Sequence, residues 1–125
     1  ATDLLAQRST LSGKVKAPGS KSITHRALVL SSLSDGRSTI RFPLVCDDTT
    51  STVRGLRALG VGVEEKAGCF VVDGTCGRFE APSSPINLGN SGTSLRFLTV
   101  LAGLADGTVI LTGDESSGGD RCRIF

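Results

Sequence analysis

Methionine, tryptophan and tyrosine are absent from the 125 residues, and histidine occurs once, at His25. Without an aromatic platform or a dense lysine and arginine run, and with a formal net charge of only +2, a nucleic-acid partner is not expected, while small anions stay open as ligands. One histidine beside four cysteines (Cys46, Cys69, Cys76 and Cys122), with no C-x-x-C pair among them, makes a zinc site hard to assemble, so no metal is expected. The cysteines read as reduced, mostly buried thiols, with a Cys69–Cys76 disulfide as the lesser alternative. Apolar runs such as "ALVL" and "FLTVLAGLA" are too short to span a bilayer, and the N-terminus lacks a charged-then-apolar signal pattern. The expectation is a soluble, cytoplasmic protein without a membrane partner.

What the chain does contain is a single domain's worth of residues with regular punctuation. "SKSITHRALVLSSLSDG" reads as a helix capped by Ser20 or Ser22, with Ile23, Ala27, Leu30 and Leu33 on its apolar stripe. "RSTIRF" alternates as a strand. "CDDTTSTVRGLRALG" reads as a second helix with Asp47 or Asp48 as N-cap and Gly60 as stop. "VGVEEK" and "CFVVDG" form a hairpin turning at Ala67-Gly68, and the turn-rich "GRFEAPSSP" follows.

At "INLGNSGTSLRFLTVLAGLADGTVILTG" the pattern restarts. With an offset of 70, Gly19 matches Gly89, Arg26 matches Arg96 and Leu28 matches Leu98; after one inserted residue Leu33, Asp35 and Gly36 match Leu104, Asp106 and Gly107. The grammar of loop, helix, Asp-Gly and strand recurs, which indicates an internal repeat. The chain holds one full unit and about half of a second, so elements that need a third partner are expected to stay exposed.

The stretch "APGSKSITHRAL" places Lys21 and Arg26 at a helix start, where peptide dipoles already disfavour cations. An anion held by free N–H groups, hydroxyls and these two side chains resolves the conflict. It is not a Walker A loop, because Ser20 stands where the second glycine must be. The bland alternative is a Ser-capped helix with solvated charges. The second motif, "LGNSGTSLRF", again sets small hydrogen-bonding residues (Asn90, Ser91, Gly92, Thr93) before an arginine, Arg96. Two such mouths can face one cleft; alternatively Asn90 or Ser91 merely caps the helix and Arg96 pairs with Asp106 or Asp114.

"PGSKSITHRALVLSSLSDG", "CDDTTSTVRGLRALGV", "LGNSGTSLRFLTVLAGL" and "LTGDES", spread over residues 11–116, resemble in order and spacing the N-terminal part of the 5-enolpyruvylshikimate-3-phosphate (EPSP) synthases. The sibling transferase acting on UDP-N-acetylglucosamine typically has Lys-Asn where this chain has Lys21-Ser22, and lacks the Arg26 pattern. The resemblance implies an α/β fold of βαβαββ units in an inside-out barrel, in a protein several times longer. Residues 1–15 would be a strand segment belonging with the other domain, 16–85 the first unit and 86–116 the start of the second. It implies transfer of the enolpyruvyl group of phosphoenolpyruvate to the 5-hydroxyl of shikimate 3-phosphate in aromatic amino-acid biosynthesis, without metal or organic cofactor. By position, Lys21, Ser22 and Arg26 resemble the shikimate 3-phosphate contacts, and Lys21, Asn90, Gly92 and Thr93 the phosphoenolpyruvate contacts. His25 stands where many relatives have Asn, which argues against a catalytic histidine. Phe97 replaces a proline behind the phosphoenolpyruvate pocket, a position that bears on the mimic glyphosate. The family's acid and base groups lie in the missing C-terminal part, so no catalytic residue and no turnover are expected here. A complementary C-terminal piece, or self-association through uncovered faces, would be the partner.

After "LTGDES" the family continues as L-R-x-R-P-M, and the arginine before its proline falls here at Asp120, whose charge would repel the substrate. Suitable codons for Ser117 to Phe125, with one C restored before them, read L-R-R-R-P-M-P-D-L in the shifted frame. Residues 117–125 are therefore expected to be an out-of-frame tail, with no role for Arg121 or Arg123. The gene sequence tests this.

Overall fold

The computed structural model describes residues 2–114; Cys122 and the expected aberrant tail lie outside them. Three helices and seven short strands follow in the order α1 (Lys21–Leu33), β1 (Arg37–Arg41), α2 (Asp47–Ala58), β2 (Gly62–Lys66), β3 (Cys69–Asp73), β4 (Phe79–Glu80), β5 (Ile86–Asn87), α3 (Gly92–Ala102), β6 (Ala105–Asp106) and β7 (Leu111–Thr112). β3 is the central strand of an antiparallel sheet ordered β1-β3-β2. Its hairpin with β2 turns at Ala67-Gly68, where Gly68 takes φ +73. β4 pairs in parallel with β6, and β5 with β7, so α3 is the crossover of a β-α-β unit.

α2 lies at the centre, packed on α1, α3, β2 and β5. The core joins Leu28 of α1, Val53 and Leu56 of α2, Phe70 and Val72 of β3, and Leu98 and Leu101 of α3. Burying each such side chain contributes about 1.5–3 kcal/mol. Arg57 in the last turn of α2 donates twice to the Val63 carbonyl, at 3.0 and 2.8 Å, which ties the helix end to β2. Gly60 stops the helix at φ +89, in agreement with the sequence.

Several expectations are corrected. On α1, Ile23 and Leu30 are 67% and 68% exposed, and Leu33 is only half-buried; the buried face is Thr24, His25, Leu28 and Ser32. The reason is that α1 meets α2 through Leu28 and the His25–Thr52 contact, not through its expected apolar stripe. The N-cap of α2 is Cys46, not Asp47 or Asp48; its amide donates to Thr49 Oγ1 at 3.0 Å, and the two acids occupy the first turn, where they favour the dipole. Cys46 and Cys69 are half-buried and Cys76 exposed, all three free, so the described thiols are neither mostly buried nor bridged. Residues 2–15 are exposed and take no strand pairing among the described residues, and the strand expected for residues 1–15 has its partner in the other domain. A strand needs a ladder partner, and the described residues offer none to that segment.

Candidate anion site at two helix mouths

Ser20 caps α1 by accepting from the Ile23 amide at 3.3 Å, and Ser91 caps α3 by accepting from the Ser94 amide at 3.2 Å. Neither helix has an acid in its first turn, so the exposed N–H groups and the positive dipole end of each remain available to an anion. Both mouths border α2, and this position brings them together.

Ser22 and Arg26 from α1 and Thr93 from α3 line one cleft of about 320 Å³, together with Arg96 and Phe97. Arg26 and Arg96 are exposed there and make no hydrogen bond or ion pair among the described residues; the alternative that Arg96 is spent on Asp106 or Asp114 is not realised. Two unpaired guanidiniums flanking two helix N-termini can hold a bidentate anion such as a carboxylate or phosphate. Lys21 and Asn90 instead line a larger neighbouring cleft of about 840 Å³, with Asp48, Arg54 and Ser91 among its walls. Gly92 is exposed at the start of α3 and has open space where a Cβ would stand, so a ligand can approach its backbone. The six expected contacts thus converge on the N-terminal ends of α1 and α3, but Lys21 and Asn90 face a different hollow from Ser22, Arg26 and Thr93.

Lys21 is not free. Its Nζ lies 2.7 Å from Asp48 Oδ2, and this pair raises the lysine's pKa and holds the Asp48 carboxyl below its usual range, with help from the Ser91 hydroxyl. Sequence reading missed Asp48 because an acid in a helix's first turn is ordinary and signals nothing. Arg96, singled out with the second motif in the sequence but not among the six contacts the resemblance implies, is a wall of the cleft. His25 is fully buried, with Nδ1 2.8 Å from Thr52 Oγ1, and burial lowers its pKa; the ring stacks on Phe97 at 6.3 Å between centroids.

The family model for EPSP synthase (3-phosphoshikimate 1-carboxyvinyltransferase) matches residues 5–119. The chain is 49% identical over 115 residues to the 3-phosphoshikimate 1-carboxyvinyltransferase of Methanothermobacter thermautotrophicus, covering 91% of this chain and 27% of that one. It is 48% identical over 112 residues to the enzyme of that name from Acetivibrio thermocellus, covering 90% and 26%. The solved EPSP synthase from Acinetobacter baumannii superposes with a TM-score of 0.77 at 31% identity, covering 83% of this chain and 24% of that one. The chain therefore spans about a quarter of the length of the relatives it matches. Because the matched residues run through both helix mouths and the α/β framework that carries them, the chain belongs to the EPSP synthase family.

Proposed function

We propose that this chain supplies one wall of the site at which an EPSP synthase transfers the enolpyruvyl group of phosphoenolpyruvate to the 5-hydroxyl of shikimate 3-phosphate. The carrying observation is the convergence of Ser22, Arg26, Thr93 and the unpaired Arg96 on one cleft at two helix N-termini. Ser22 and Arg26 take shikimate 3-phosphate, while Lys21, Asn90, the Gly92 backbone and Thr93 take phosphoenolpyruvate. Lys21 must exchange Asp48 for ligand, or hold both. Both substrates are anions, which helix N-termini and cationic side chains can hold without a metal or cofactor, and the location is cytoplasmic. Phe97, against the cleft and His25, tunes the phosphoenolpyruvate side and with it the response to glyphosate.

The chain by itself is inactive in this reading, since an open cleft neither excludes water nor presents acid and base groups from an opposing wall. Phosphate release from the two substrates tests it. None is expected from the chain alone, and activity is expected on mixing with the C-terminal part of a relative; turnover by the repurified chain alone overturns the reading. A second reading, self-association, draws on outward apolar residues of α1 and α3 and the turn after α3, where Ile23, Leu30, Val100 and Leu104 are each more than half exposed. Sedimentation separates it, because a monomer at all concentrations rules it out.

A further inference from the structure

The three helices meet through a run of buried hydroxyls, which is an expensive way to pack unless every proton is placed. Placing them fixes a direction. The single Ser94 hydroxyl proton has two acceptors away from Thr52: the Asp48 backbone carbonyl at 3.0 Å, and Ser91 Oγ at 2.7 Å, whose own proton goes to the Asp48 carboxylate. Thr52 Oγ1, 2.7 Å from Ser94 Oγ, is then the donor in that contact. With its proton committed, Thr52 must accept in its 2.8 Å contact with His25, so the proton there is on Nδ1. His25 is consequently the neutral Nδ1–H tautomer. Its Nε2, buried without a hydrogen-bond partner among the described residues, carries a bare lone pair and not a stranded N–H.

We propose that His25 is a positioning residue. A one-way chain, His25 Nδ1–H to Thr52 to Ser94 and on to the Asp48 carbonyl or Ser91, ties α1 and α3 to the first turns of α2 and sets the spacing of the two mouths. Ser91, the cap of α3, lies 2.7 Å from Ser94 Oγ, so the hydroxyl network reaches the mouth itself. On the other side the imidazole stacks on Phe97, a wall of the arginine cleft, so His25 fixes that wall as well. The proposal rests on the mouths being the ligand site, but its test needs no ligand, and the two readings can fail separately.

The test is nitrogen NMR of the labelled 125-residue chain near neutral pH. Expected are a protonated Nδ1 and an unprotonated Nε2 for His25. Thr52→Val should shift amide signals in the first turns of both α1 and α3, and Thr52→Ser should return them towards wild type. An Nε2–H tautomer overturns the proposal, as do Thr52→Val shifts confined to α2. If Thr52→Val does not fold, the wild-type tautomer and the Thr52→Ser spectrum decide, since Thr52→Ser must keep both first turns in place.

Discussion

The mouths of α1 and α3 share one plan and differ in what their glycines and charges do. Both helices begin at a serine cap, bury one leucine completely (Leu28 and Leu98) and expose an arginine two residues before it. At the first mouth the glycine is packed: a Cβ on Gly19 would lie 2.6 Å from the Phe42 carbonyl oxygen and 2.7 Å from the Leu44 nitrogen. At the second, the repeat partner Gly89 has only Asp114 Oδ2, at 4.0 Å, near a Cβ, and Gly92, the first residue of α3, has nothing within 4 Å. The first mouth carries Lys21 held by Asp48, whereas the second begins with no charge at all. Repeated units thus keep a motif's outline while dividing its duties, one mouth braced against the fold and the other left clear.

The largest expected effect tests the shared part. Leu28→Ala and Leu98→Ala should each cost about 2–5 kcal/mol in urea unfolding, because each empties an equivalent core position. A cost at one site far below that range breaks the equivalence. Gly19→Ala should cost about 1–3 kcal/mol, since backbone atoms must move, while Gly92→Ala should stay within about 1 kcal/mol of wild type. Equal costs at the two glycines would remove the distinction between a packed mouth and an open one.

The smallest effect concerns charge. Asp48 has a lowered pKa chiefly through Lys21, so its contribution is complete above the ordinary carboxylate range and is lost as the pH falls through the lowered folded value. His25, lowered chiefly by burial, likewise contributes fully above about pH 6.5 and loses that contribution as pH falls through its folded value. Asp48→Asn should therefore flatten the acid limb of the stability curve while leaving the step below neutrality. If Asp48→Asn retains the full acid limb, the Lys21 pair is not what braces the first mouth.

The order of helices, β1 and the β2–β3 hairpin were legible because Gly60 and Gly68 occupy positive-φ positions that punctuate the chain, and the Leu28/Leu98 match in the repeat located two true core positions. The buried face of α1 was not legible. Apolar periodicity identifies the side that seeks burial, but in α1 that side points away from this chain's core and the hydroxyl side points in. For the same reason Thr52 and Ser94, plain helix residues in sequence, were invisible as a buried bridge; their role appears only when α2 and α3 are side by side. The two-residue strands β4 and β6 exist only as partners of one another, and neither carries a pattern of its own.

The central claim is that two helix mouths and their unpaired arginines form an anion site, and calorimetric titration with shikimate 3-phosphate tests it most directly. The account predicts saturable one-to-one binding by the 125-residue chain that weakens at least tenfold, about 1.4 kcal/mol, in Arg26→Ala, with Gly92→Ala folding normally and leaving this ligand's affinity near wild type. Absence of binding by the folded wild-type chain, or binding that Arg26→Ala leaves unchanged, would contradict it.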